Sequence, residues 1–192
     1  MGEFQTGSML LMRPLASPVA EYRVLGLLTA AGGVVLGVVG AAVQNPVMSG
    51  LGFAVAVGIT GPWMYWLAYG RFARKAVREP APAPPPAGRE PENETRRRAA
   101  LTAGVLLVFM AIVGLATHAL GVVGGIAAGN GAALTASGHW LRRWEKRNRL
   151  SLLREPRWRW SRRGAHGWGR GRGMMDPQDF YVIAPGDRST SA

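Results

Sequence analysis

The chain has 192 residues, 48% of them hydrophobic, and a formal net charge of +12 from 23 Lys and Arg against 11 Asp and Glu. No Asp, Glu, Lys or Arg falls within residues 24–70 or 99–141. A helix needs about 20 apolar residues to cross roughly 30 Å of hydrocarbon, so each window has room for two crossings and a tight turn, and the core of a small soluble domain is excluded.

Residues 1–23 read as a short cytoplasmic segment. The apolar run starting at Val24 is too long for a cleavable signal peptide, and no charge-led segment with a cleavage site precedes it. The first window, 24–70, divides into helices over 24–43 and 47–69, broken by Gln44, Asn45 and Pro46. Gly61 and Pro62 are expected to kink the second of these. Residues 71–98 carry eight basic and four acidic side chains and the proline run EPAPAPPPAG. Such a composition builds no packed core and predicts a disordered, extended linker, with docking to an SH3-like groove as the alternative use.

The second window, 99–141, predicts helices over 99–117 and 121–141 with a turn near Thr117, His118 and Gly121. One straight helix of that length would be about twice the bilayer thickness. Residues 142–192 form the tail, in which the fourth helix is expected to continue as far as Pro156. The run 179–184 is β-prone, either disordered or able to add as a strand to a partner. The fold class is therefore all-α: a multi-pass membrane protein with four transmembrane helices as two hairpins, a disordered cytoplasmic linker and a disordered C-terminal tail.

Basic residues concentrate beside the spans at 71–98 and from Arg142 onward, whereas the intervening turns have none. Basic residues stay on the cytoplasmic side, which predicts a cell-membrane protein with both termini inside. Trp63, Tyr65, Trp66 and Tyr69 then mark the inner end of the second helix, and Trp140 and Trp144 that of the fourth, where amphipathic rings prefer to sit. Only Lys75 and Lys146 are lysine, and with abundant Ala, Gly and Val this reads as a GC-rich bacterial genome.

Small residues recur every three or four positions within the spans. They are Gly26, Ala30, Gly33, Gly37 and Ala41; Gly50, Ala54, Gly58 and Gly61; and Gly121, Gly125, Ala128, Ala132 and Ala136. Lipid supplies little hydrophobic drive between helices, so such stripes mark close backbone approach. Gly33, Gly37, Gly58 and Gly125 are the packing candidates, serving either one bundle or self-assembly into a homo-oligomer. Asn130, the deepest amide, needs a partner such as Thr60 or Thr102, or a wet cavity.

The chain lacks the groups that most chemistries require. A cation-coupled carrier needs a carboxylate within the membrane, and there is none. The absence of Cys removes a disulfide framework, a thiolate metal site and a thiol nucleophile. His118, His139 and His166 share no metal-ligand spacing, and no paired-carboxylate, triad or glycine-loop motif occurs. The expectation is a protein without enzymatic activity, cofactor or metal.

The strongest functional signal is the stretch 142–172, with twelve basic residues against two acidic ones. Arg142, Arg143, Trp144 and Arg147 fall on the end of the fourth helix, with Trp140 and Trp144 on one face. Arg157, Trp158, Arg159, Trp160, Arg162, Arg163 and Trp168 follow Pro156 among glycines. Arginine with tryptophan suits anionic lipid of the inner leaflet, where rings seat among headgroups. It also suits nucleic acid, through phosphates and stacked bases, or an acidic cytoplasmic or membrane protein partner. The plain alternative is a topology anchor lying on its own membrane. The expected function is tethering of such a partner at the inner leaflet. Two other readings remain: an oligomeric pore or translocation accessory of holin-like or DNA-transfer type, and a stabilising subunit of a larger membrane complex.

Overall fold

The computed structural model describes residues 15–66, 74, 77, 81–82, 90–154 and 180–183. Four helices dominate: α1 Pro18–Val43, α2 Pro46–Trp63, α3 Glu92–Ala116 and α4 Leu120–Asn148. All four belong to segments long and apolar enough to cross a membrane. Three short strands accompany them: β1 Ala81–Pro82, β2 Ser151–Arg154 and β3 Phe180–Ile183.

The helix boundaries follow from capping. Ser17 accepts from Ala20 N at 3.5 Å, with Pro18 in the first turn. Asn45 accepts from Val47 N at 3.0 Å and Met48 N at 3.1 Å, with Pro46 behind it. A short polar acceptor followed by proline suits a helix start, because that first N–H has no intrahelical partner to lose. Pro62 removes a later N–H, and after Trp63 the helix passes into a π-type turn at 64–66.

Helix α3 ends in a Schellman-type cap, with His118 left-handed at φ 53° and Ala119 N donating to Gly114 O at 2.9 Å. Helix α4 ends in the same way at Arg149, also φ 53°, where Leu150 N donates to Glu145 O. It therefore stops well short of Pro156. The left-handed residue reverses the chain, and Leu150, Leu152 and Leu153 then have an apolar surface to cover.

Short turns join α1 to α2 and α3 to α4, but the main interfaces are not between these neighbours in sequence. Helix α4 packs most extensively on α1 and next on α2, and α1 with α2 and α3 with α4 make fewer contacts. Gly40 lies against Gly121, Gly37 against Gly124 and Gly26 against Thr135, so α1 and α4 run antiparallel. A methyl group at Gly131 would lie 2.6 Å from Gly26 O, and one at Gly124 would lie 2.6 Å from Gly37 N. On its other side α4 runs parallel to α2: a methyl at Gly125 would lie 2.5 Å from Phe53 O, and one at Gly129 would lie 2.9 Å from Gly61 N.

Gly33, Gly37 and Gly125 therefore lie at close helix contacts, and Gly58 does not. It is exposed, with nothing within 4 Å of where a side chain would begin, as at Gly50. Helix α2 turns Ser49, Gly52, Phe53, Ala56 and Gly61 toward its neighbours instead. Ala132 and Ala136 of α4 are likewise exposed. Asn130 is half-buried and has a partner. The hydroxyls of Thr60 and Thr102 bond to Ala56 O and Arg98 O in their own helices.

The linker and tail contain order as well. The strands form one sheet in the order β1-β3-β2. Antiparallel β2 and β3 pair Ser151 with Ile183 and Arg154 with Phe180, while β1 runs parallel to β3, Ala81 opposite Tyr181. The β-prone run at the C-terminus thus docks on its own chain, as the central strand. Pro82 sits on an edge strand, where its missing N–H is tolerated.

Two stability tests follow. Gly131→Val should cost about 3 kcal/mol by overpacking the α1–α4 contact, whereas Gly58→Val should leave thermal unfolding in detergent nearly unchanged. Equal losses would contradict the assignment of faces. His118→Gly should raise stability by about 1 kcal/mol, because glycine carries no left-handed penalty, read from the same melting curves.

Candidate partner-binding end of the bundle

Three helices extend beyond the uncharged windows at one end of the bundle, where α1 begins, α3 begins and α4 ends. The charged side chains of the described helices collect there, and the other end holds the two short turns around Asn45 and His118. Val19, Tyr22, Val77, Leu134, Leu141 and Leu152 form a buried cluster beneath the charged end. Leu25, Trp140 and Trp144 are half-buried against it. Trp140 and Trp144 share one face of α4, as their spacing predicts, but that face is turned partly into the protein rather than wholly outward.

The arginines of this helix end behave differently. Arg142, Arg143 and Arg147 are exposed, together with Lys146 and Arg149. Glu145 is half-buried, and its Oε1 accepts from Leu152 N at 2.8 Å, tying the start of β2 back to α4. Arg157, Trp158, Arg159, Trp160, Arg162, Arg163 and Trp168 lie outside the described residues. The chain positions bracketing them are fixed, since β2 precedes them and its antiparallel partner β3 follows. The basic and aromatic stretch is therefore joined to the bundle at both of its ends.

A second polar group at this end had no signal in the sequence. Glu90, flanked by the proline-rich linker, is buried with a side chain 5% exposed. Its Oε1 takes Arg98 Nη1 at 2.7 Å, and its Oε2 takes the hydroxyl of buried Thr95 at 3.1 Å. Its backbone N donates to Leu15 O at 2.9 Å, joining the segment before α1 to the start of α3. Buried charges persist only when paired and hydrogen-bonded. The Glu90 carboxylate meets that condition on both oxygens, whereas Arg98 Nη2 is buried with no hydrogen-bond partner among the described residues. Arg96 pairs with Glu92 one turn back at 2.7 Å in an exposed i,i+4 contact.

Among the described residues no three His, Cys, Asp or Glu side chains gather to hold a metal ion. His118 lies in the α3–α4 turn and His139 is exposed on α4, so those two do not share a site. Comparison with protein-family models, with curated proteins and with solved structures finds no match to this chain.

The Glu90–Arg98 pair makes a specific prediction. Glu90→Ala leaves a mostly buried guanidinium uncompensated and should cost about 3–5 kcal/mol, whereas adding Arg98→Met to it should restore much of that loss. Melting curves of the single and double variants decide; equal destabilisation of both would show that the pair itself contributes little.

Proposed function

We propose that this chain is a multi-pass protein of the cell membrane, with both ends on the cytoplasmic side, which tethers a partner at the inner leaflet without catalysing a reaction. The observation that carries the proposal is the distribution of charge. The stretch 142–172 has twelve basic residues against two acidic ones, while residues 24–70 and 99–141 have no charged residue at all. Retention of basic residues on the cytoplasmic side orients the bundle with its charged end inward. Exposed Trp63 and Trp66 at the same end fit the headgroup layer.

The recruiting surface comprises Arg142, Arg143 and Arg147 on α4 with the arginine and tryptophan stretch after Pro156. Arginine forks grip phosphate oxygens, and tryptophan either seats among headgroups or stacks on bases. Anionic lipid, nucleic acid and an acidic protein face all present such oxygens. A second reading, assembly of several copies into a pore or translocation accessory, is favoured by one observation: Gly50, Ala54 and Gly58 form an exposed small-residue face on α2.

Replacing Arg157, Arg159, Arg162 and Arg163 together by Gln keeps chain length, so the strands on either side can still pair. At about 1 kcal/mol for each basic residue near an anionic surface, the change should weaken capture of anionic vesicles by protein held in neutral nanodiscs about a thousandfold at low salt. Parallel titration with single-stranded nucleic acid separates the two phosphate sources. Unchanged binding of both would sink the tethering reading. The mass of the particle in nanodiscs checks the second, since a monomer that passes no ions excludes a pore.

A further inference from the structure

Three consecutive arginines, Arg96, Arg97 and Arg98, close the charged part of α3, and the structure treats them differently. Arg96 is paired with Glu92 and Arg98 with Glu90. Arg97 is exposed and has no carboxylate partner among the described residues. It stands at the head of an open trough that continues along the same face of the helix over Leu101, Gly104, Val105, Val108 and Ile112. These positions recur at i, i+4, i+7, i+8, i+11 and i+15 from Arg97, one continuous stripe of an α-helix. The trough has a volume of about 660 Å³, within the range of ligand-sized sites.

Gly104 lies in the middle of this stripe. A side chain there would meet nothing within 4 Å, so the glycine leaves a notch between Leu101 and Val108, both more than 60% exposed. From Arg97 to Ile112 the stripe runs about 22 Å at 1.5 Å per residue. That exceeds the depth of one leaflet, half of the roughly 30 Å hydrocarbon core. A long, open apolar face with Arg97 as the one cation lining it among the described residues matches a molecule with an anionic head and an extended hydrocarbon chain.

We propose that α3 carries a seat for one anionic phospholipid, with its phosphate on Arg97 and an acyl chain along Leu101, Gly104, Val105 and Val108. The assignment rests on the reading that the helices span a membrane with their charged ends at one surface. The unpaired guanidinium supplies charge complementarity and the notch supplies shape. The paired neighbours leave Arg97 as the member of the triplet available to a phosphate.

The experiment uses the full chain purified in detergent, with phosphatidylglycerol or phosphatidylcholine added at equal concentration and retained lipid counted by native mass spectrometry. The unmodified chain should retain phosphatidylglycerol about fivefold better than phosphatidylcholine, the preference expected from one basic contact. Arg97→Gln should abolish that preference. Arg96→Gln, an equal change of charge on a side chain already paired, should preserve it. Gly104→Leu, which fills the notch, should lower retention of both lipids. Preference unchanged in Arg97→Gln, or lost equally in Arg96→Gln, overturns the seat. Alkaline extraction of native membranes tests the underlying reading separately: release of the chain into the wash overturns membrane insertion and the lipid seat with it.

Discussion

Everything in this bundle depends on how closely the backbone of α4 approaches α1 and α2. In a medium of hydrocarbon there is little to gain by hiding apolar side chains, and association comes from dispersion contacts over surfaces that can meet at short range. Helix α4 meets α1 through Gly124, Gly131 and Gly138 and meets α2 through Gly121, Gly125 and Gly129. Two interleaved glycine faces let one helix serve two partners. It is also the most enclosed, with 61% of its apolar window buried against 11% for that of α2. Many large side chains then point outward: Leu27, Val35, Val38, Leu101, Phe109 and Ile112 are exposed, while Ala103, Ala127, Ala133 and Thr29 are buried alongside a few leucines such as Leu120, Leu134 and Leu141. A core built against water hides most of its bulky aliphatic residues, and the exposed set here fits a chain solvated by lipid.

At the charged end different physics applies, because backbone and side-chain polar groups there need partners near an interface. Glu90 gathers Arg98, Thr95 and the carbonyl side of the chain before α1, and Glu145 holds the first residues after α4. Strand β3 then bridges a residue pair of the inter-hairpin linker and the continuation of α4. These contacts join segments far apart in sequence, which a disordered linker and tail would leave independent. Arg154 and Phe180, which bracket the basic and aromatic stretch in sequence, consequently pair with each other in one small sheet.

The windows, the turns and the fourth helix's two-tryptophan face were legible because charge exclusion and proline placement are local signals. Which small-residue stripe packs was not. In α2 glycine and alanine occur all around the helix, at Gly50, Gly52, Ala54, Ala56, Gly58 and Gly61, so stripes spaced by four exist on several faces. The choice between Gly58 and Gly52 is made by α4, a helix more than fifty residues away, and no periodicity within α2 contains it. Glu90 was hidden for a similar reason. A carboxylate beside a proline-rich stretch looks solvated until Leu15 and Arg98 are brought to it. The strand at Phe180–Ile183 was recognisable as β-prone, but strand pairing is non-local, and its partners at Ala81 and Ser151 carry only weak signals.

The acidic residues of the linker sharpen the charge argument. Counted along the chain, residues 71–98 have eight basic groups against four acidic ones, which resembles a weaker copy of the tail. In space, Glu92 and Glu90 are consumed by Arg96 and Arg98, so the start of α3 offers chiefly Arg97 as an uncompensated charge among these three. Glu145, the acidic residue on the end of α4, is committed to the backbone of Leu152, while Arg142, Arg143, Lys146, Arg147 and Arg149 stay exposed around it. Local pairing therefore distinguishes the two groups: Arg96 and Arg98 are paired at the head of α3, whereas the basic residues at the end of α4 stay exposed. A surface ion pair such as Arg96–Glu92 contributes little to stability, yet it lowers the uncompensated positive charge at the head of α3 relative to the end of α4.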